Sequence, residues 1–393
     1  MTTRETIALF DQYVIANYTR IPVVFVRGEG SHIWDADGNR YIDLFPGWGV
    51  NGIGHCHPRV VAALREQAGK LMHVANNFYM EPQGLLAKIV AERSFGGQCF
   101  FCNSGAEANE GAIKLARLAT PSGKNRIITF GDSFHGRTLA AIAATAQPKY
   151  QKGLDPLMPG FAYAAFNDLD SVRALADEKT CAVMVEPIQG EGGVNVAAPE
   201  FLRGLRRFCD EKGMLLILDE VQTGCGRTGA WFGYQHYGIE PDIMTLAKAL
   251  GGGAAIGGLV AKPEVAKSLV PGTHASTFGG NPLATAASVA TFEAIEEENL
   301  LENCVRMGEF ATARLSAMKE KYGFIREVRG KGLMIGMELD RPGAPVVQRC
   351  LERRLLVNCT HDAVIRMLPA MNVAREVMDE GLAILEESLA AVA

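Results

Sequence analysis

No apolar stretch in this 393-residue chain reaches the roughly 20 residues a membrane-crossing helix needs, although 48% of its residues are hydrophobic. That combination predicts a soluble globular protein with a large core and no membrane partner. The N-terminal MTTRETIALFDQYVIANY carries an early acid and no apolar block closed by small residues, so no secretory signal is expected. A surplus of one charge sign is missing too. With 39 basic against 44 acidic side chains the net charge is −5, which offers no basic footprint for nucleic acid. Nine cysteines are scattered with a single formal C-x-x-C, Cys99-Phe-Phe-Cys102, which lies in an apolar run without a nearby His. Reduced thiols in a cytoplasmic protein are expected there, not a metal or redox site. Internal repeats and low-complexity linkers are absent.

What is present is alternation. Short apolar runs at 99–102 (CFFC), 127–130 (IITF), 181–185 (CAVMV) and 215–218 (LLIL) each lead into polar loop residues and then a helix-like stretch. This rhythm predicts an α/β fold with a mostly parallel sheet flanked by helices, whose ligands lie beyond the carboxyl ends of the strands. Helices are expected at 7–18, at 58–71 behind Pro58, and at 82–93. The segment 22–44 has two alternating runs around Asp37-Gly38-Asn39, the pattern of a hairpin or small meander. After Pro282 come helical patterns at 284–298 and 301–322 and strand-like runs at 325–328 and 333–339. The length exceeds a usual single domain. A large domain at 52–283 is therefore expected, with a smaller α+β domain formed by 1–51 and 284–393. Charge concentrations at 203–207 and 296–298 have helical spacing and predict solvated helix faces.

The chemistry concentrates at 215–250. Here one apolar run delivers Asp219, and a shorter run at 244–246 delivers Lys248, followed by glycines 251–253 that let backbone approach closely. Alone, a strand-end Asp is most often a cap and a Lys a solvated charge. Together they are what a pyridoxal phosphate enzyme needs: a carboxylate that keeps the pyridine nitrogen protonated, and a lysine that holds the aldehyde as a Schiff base. Ser104, Gly105 and Ala106 open a helix and can cup a phosphate with backbone N–H groups; Ser104 and Glu107 equally have capping-box spacing, and the two are compatible. Phe134 can stack on a flat ring, and Arg137 offers a planar fork for a carboxylate, though arginines in such loops are mostly solvated. Glu191, flanked by glycines, is either held in tight space or caps a neighbouring loop.

In order along the chain, NSGAEANE from 103, FHGRT from 134, EPIQGEGG from 186, LDEVQTGCGRTG from 218, AKALGGG from 247 and STFGGNPLA from 276 resemble the class III (subgroup II) aminotransferases. These belong to the fold type I pyridoxal phosphate enzymes, and the motifs span most of the chain. The resemblance implies pyridoxal 5'-phosphate as cofactor and Lys248 as the catalytic lysine that bonds it. It implies Asp219 at the pyridine nitrogen, Gln222 at the ring oxygen, Phe134 stacked on the ring, and Ser104, Gly105 and Ala106 around the phosphate. Glu220 and Val221 count among the cofactor-binding residues. Thr277 would reach the phosphate of a neighbouring subunit, which implies a homodimer with shared sites, and Ser276 would touch the partner's substrate. Arg137 would take the distal carboxylate of either substrate. Arg366 would take the near carboxylate of 2-oxoglutarate or L-glutamate, with Glu191 pairing to it and swinging away when the diacid binds.

Within the class the chain is most similar to the acetylornithine aminotransferases, through GHCHP at 54, HVANNFYMEPQ at 73, and LLVNCTHD at 355 leading to IRMLP at 365. Ornithine δ-aminotransferases tend to carry Lys-Pro-Thr where this chain has Asn358, Cys359 and Thr360, and often Tyr where it has Gly47. The implied reaction moves the δ-amine of N2-acetyl-L-ornithine to 2-oxoglutarate in arginine biosynthesis, by a ping-pong route through pyridoxamine phosphate. Succinylornithine, N-acetyl-lysine, ornithine and 4-aminobutyrate stand as alternative donors. Two departures from the pattern are Trp48, which is expected to narrow the pocket or favour another acyl group, and Leu368-Pro369-Ala370 in place of a double proline.

Overall fold

Seven strands form the central sheet of the protein, described over residues 1–392 by a computed structural model. Their order across the sheet is Gln98–Cys102, Gly257–Ala261, Ile243–Leu246, Leu215–Asp219, Thr180–Val185, Arg126–Phe130, Phe161–Ala164. All pairings are parallel except those of Gly257–Ala261, which runs antiparallel to both neighbours. Thr180–Val185, Ile243–Leu246 and Gly257–Ala261 are buried at every residue, so none shows the alternation of a half-exposed strand.

Alternate side chains of one strand serve two cores. In Leu215–Asp219, Leu216 and Leu218 join Phe130, Val183, Phe201 and Leu205 on one face. Ile217 joins Ile113, Leu115, Ile127 and Leu259 on the other, under the helix Gly105–Ala119. Each fully buried aliphatic side chain contributes about 1.5–3 kcal/mol, which fixes the register and hence the height at which each strand end projects its polar residue.

A third core joins Ile42, Leu44, Ile53 and Val60 to Leu315, Ile335, Ile365 and Leu385, so the two ends of the chain pack together. Their strands do as well: Leu355 pairs in parallel with Ile42 in the sheet that also holds Phe25–Glu29, His32–Asp35 and Arg40–Asp43. A separate four-stranded sheet runs Ile325–Lys331, Met334–Leu339, Val364–Met367, Asn358–Thr360.

Several expectations need correction. The first helix is Thr3–Tyr13, not 7–18, because Thr2 and Glu5 form a capping box: Glu5 N donates to Thr2 Oγ1 at 3.2 Å and Thr2 N to Glu5 Oε2 at 2.9 Å. The strands Phe161–Ala164 and Gly257–Ala261 were not anticipated. Of the charge runs, Arg203, Arg207 and Glu296 to Glu298 are exposed as expected, but Arg206 is largely buried and bridges Asp210 and Asp242 at 2.7 and 2.8 Å. Glu296, Glu297 and Glu298 pair with Arg93, Arg59 and His57. Cys99 and Cys102 stand in a strand, and burial pushes both thiols up to about 12. Among the described residues no helix is long and apolar enough to cross a membrane.

Candidate active site

At the carboxyl ends of the central strands opens a cavity of about 460 Å³. Its wall includes Ser104, Gly105, Ala106, Phe134, Arg137, Glu191, Asp219, Val221, Gln222 and Lys248, so ten of the sequence-predicted residues meet in one place. Asp219 ends its strand, and Lys248 stands just past the adjacent strand Ile243–Leu246, at the start of a 3-10 turn. Lys248 has φ of 44°, in the left-handed region that a side chain rarely adopts. Such strain survives only where the surroundings enforce it, here the turn into Gly252 and Gly253.

Asp219 is fixed from three sides. Its Oδ2 accepts from Asn109 Nδ2 and from His135 Nδ1, both at 2.8 Å, and its Oδ1 accepts from Val221 N at 3.0 Å. Burial alone would raise this carboxyl, but the hydrogen bond and charge of His135, with Val221 and Asn109, hold it below the usual carboxylate range. His135 moves the other way: burial opposes its protonation, and Asp219 overcomes that and raises it. Burial lowers the Lys248 amine against the pull of Glu191 and Asp219, the direction a proton-accepting base needs. Beneath them Glu186 accepts from Phe134 N and Gly190 N, and burial pushes it up to about 7.

Glu191 in the cavity wall is backed by an ion pair. Arg366, fully buried, donates from one terminal nitrogen to Glu191 Oε1 at 2.7 Å and to Gln222 Oε1 at 3.4 Å, while its other nitrogens donate to Asn358 Oδ1 at 3.2 and 2.9 Å. Burial would raise Glu191, yet the Arg366 charge and hydrogen bond hold it below the usual range. At the mouth, Arg137 is exposed and lies over the Tyr150 ring at 3.8 Å, with no carboxylate within ion-pairing distance among the described residues.

The phosphate-cup residues stand as the helix start requires. Ser104 Oγ accepts from Glu107 N at 3.2 Å as the N-cap, and Glu107 reaches Asn103 N at 2.7 Å. The first amides of the helix have no intrahelical acceptor and face the cavity with the positive end of the dipole. A Cβ on Gly105 would come within 2.8 Å of Val221 Cγ1, so only glycine lets this helix start close on the strand-end loop.

Three predicted residues are elsewhere. Glu220 points away from the cavity: its carboxylate accepts from Gly233 N and Tyr234 N at 2.8 and 2.7 Å and from Thr223 Oγ1, and burial pushes it up to about 7. It braces the loop and does not line the cofactor space. Ser276 touches the cavity only indirectly, through Asn103 Nδ2 at 3.2 Å, and Thr277 is exposed outside it. Trp48, half-exposed, packs edge-on to Phe45 at 5.8 Å and not in the cavity wall, where Val50 stands instead. Sequence reasoning missed Asn109, His135, Glu186, Asn358 and the buried Arg227, which donates to Leu333 O and Pro369 O and is lowered by burial to about 10. Asn109 and His135 lie inside motifs already noted; for Asn109 the signal was a polar residue on the buried face of a helix, whereas His135 stands in a loop and left none.

Pyridoxal phosphate fits these residues. Gln222 Nε2 is buried with no acceptor, a donor waiting for the ring oxygen; the helix start suits the phosphate, and Asp219 and Lys248 bracket the space between.

The class-III aminotransferase family model matches residues 13–389. The acetylornithine aminotransferase of Methanocaldococcus jannaschii is 49% identical over 391 residues, covering 98% of both chains. An ornithine aminotransferase structure from Toxoplasma gondii, with PLP at partial occupancy in its active site, superposes with a TM-score of 0.93 at 34% identity, covering 100% of this chain and 95% of that one. The N-acetylornithine aminotransferase of Stenotrophomonas maltophilia gives 0.84 at 38% identity, covering 98% and 99%. Agreement from end to end in sequence and fold makes this chain a member of the class-III aminotransferases, with pyridoxal 5'-phosphate as its cofactor.

Proposed function

We propose that the protein moves the δ-amino group of N2-acetyl-L-ornithine to 2-oxoglutarate, giving N-acetyl-L-glutamate 5-semialdehyde and L-glutamate, as a cytoplasmic step of arginine biosynthesis. The observation that carries this is the 2.7 Å Glu191–Arg366 pair. Acetylornithine has one carboxylate, far from its amine, for which exposed Arg137 is the open partner. Its methylenes then meet an Arg366 already neutralised by Glu191. In the second half-reaction the α-carboxylate of 2-oxoglutarate takes the place of Glu191 on Arg366, so neither state leaves a desolvated lone charge. The 49% identity to a protein named acetylornithine aminotransferase supports the donor.

Lys248 would hold the cofactor covalently, Asp219 its pyridine nitrogen, Gln222 its ring oxygen, Phe134 a ring face, and Ser104, Gly105 and Ala106 its phosphate. Bound there, pyridoxal phosphate supplies the electron sink for the bond broken at the substrate carbon. With its amine free, Lys248 would take the proton from the substrate carbon that bears the nitrogen and give it back two atoms along, on the far side of that nitrogen. Asp219 stays anionic throughout and keeps a proton on the nitrogen opposite it. Exposed Thr277, outside its own cavity, would serve the phosphate of a second copy in a homodimer, with Ser276 at that copy's substrate. A division into 52–283 and 1–51 with 284–393 is supported by the core that joins the two chain ends, with Ile53 and Val60 reaching into that core and Ala284, Val289 and Phe292 into the central one.

Free ornithine is the second reading, favoured by the likeness to the Toxoplasma ornithine aminotransferase. A panel of acetylornithine, succinylornithine, N-acetyl-lysine, ornithine and 4-aminobutyrate at fixed 2-oxoglutarate decides between them. A higher kcat/KM for ornithine than for its acetyl form overturns the proposal.

A further inference from the structure

Arg366 has two cross-strand neighbours, Gly336 on one side and Asn358 on the other. At Gly336 a Cβ would come within 2.9 Å of Val194 Cβ, so the missing side chain is what lets the loop carrying Glu191 close onto the sheet. Asn358 sits on the edge strand and accepts from two Arg366 nitrogens through one amide oxygen. The face of the guanidinium lies over the Phe45 ring at 4.9 Å. Among the described residues, the hydrogen-bond and ring partners of this cation are thus neutral except Glu191.

The two edge strands of this sheet also clamp the loop. Thr360 Oγ1 donates to the Glu191 carbonyl at 2.7 Å, and Arg329 donates to the Gly193 carbonyl at 2.8 and 3.1 Å. Backbone at Glu191 and just after it is therefore pinned, which leaves its side chain to turn.

We propose that Asn358 is a positioning and specificity-determining residue: it keeps Arg366 aimed while Glu191 is away, and keeps Glu191 the single, exchangeable counter-ion. This rests on the alternation of Glu191 and a substrate carboxylate proposed above. When the Glu191 side chain turns out, one nitrogen is freed for the incoming carboxylate while the other two stay held. A neutral acceptor does this without lowering the positive charge. A carboxylate at 358 would instead pair with Arg366 permanently and neutralise it before the acceptor arrives.

The test is N358D, with the two half-reactions followed separately in single-turnover experiments. The apparent Kd for 2-oxoglutarate is expected to rise at least about tenfold, and this loss to exceed that of the donor half-reaction by at least about threefold. Glutarate, a five-carbon dicarboxylate that cannot be transaminated, is titrated into the holoenzyme by calorimetry and should lose affinity in parallel. Should N358D fail to fold, N358A decides: it removes the acceptor without adding charge, and a loss of about threefold for glutarate is expected. Equal losses in both half-reactions, or unchanged glutarate affinity in the variant that folds, overturn the proposal. The glutarate and 2-oxoglutarate arms use no amine donor, so a wrong donor assignment would show only in the donor panel and leave the role of Asn358 untouched.

Discussion

Asp219 and Glu191 line the same cavity, yet Asp219 is held by Asn109, His135 and Val221, whereas among the described residues the carboxylate of Glu191 has Arg366 alone as partner. Asp219 is 3% exposed and projects from a strand of the central sheet; Glu191 is 18% exposed and projects from a glycine-flanked loop. The difference separates two tasks. A charge needed identically in both half-reactions is built into the sheet and over-determined. A charge that, on the proposed mechanism, is needed in only one of them has a single partner that a substrate carboxylate would replace.

The largest test of that contrast is K248A on the fixed wall. Both half-reactions should fall together by at least about a thousandfold, read by single-turnover rates with each substrate. A loss confined to one of them would break the comparison. Next comes R137A at the mouth, where kcat/KM for the amine donor and for 2-oxoglutarate should each drop about 30- to 100-fold, the range of a lost charge-assisted carboxylate contact. E191Q should act with opposite signs: the donor's kcat/KM falls about tenfold as Arg366 loses its counter-ion, while 2-oxoglutarate binds about threefold tighter with its competitor gone. Parallel changes would mean Glu191 is as fixed as Asp219.

The smallest effect belongs to Glu220, the neighbour of Asp219 that faces the other way. Burial pushes its carboxyl up to about 7 from the ordinary 4.5, so the unfolded chain releases this proton first as pH rises. The stability it contributes is present below about pH 4.5 and is lost through about pH 7. E220Q should flatten that decline by on the order of 1 kcal/mol, read as urea midpoints of wild type and variant across this window.

The strand ends carrying Asp219 and Lys248 were legible because fully buried parallel strands leave unbroken apolar runs, and a polar residue that ends such a run must lie at a rim. The strands Phe161–Ala164 and Gly257–Ala261 were not. FAYA is too short to show a period, and GGLVA begins with glycines that read as loop, while nothing local encodes that it runs antiparallel. Glu220 was misplaced because successive residues leaving a strand point to opposite sides, which a motif spelled as letters does not register. His135 and Asn358 escaped for a different reason: each works through a partner that no motif pairs it with, Asp219 for one and Arg366 for the other, and no spacing rule spans the 84 residues between His135 and Asp219. The capping box at Thr2 and Glu5 was readable and overlooked, which displaced the first helix.

One cavity of about 460 Å³ receives donor and acceptor by turns, behind one displaceable gatekeeper. Each substrate is therefore also a rival of the other. On the proposed exchange at Arg366, an acceptor molecule that evicts Glu191 before the nitrogen has been delivered would park in a dead-end complex, and abundant 2-oxoglutarate would throttle a cycle that abundant amine relieves.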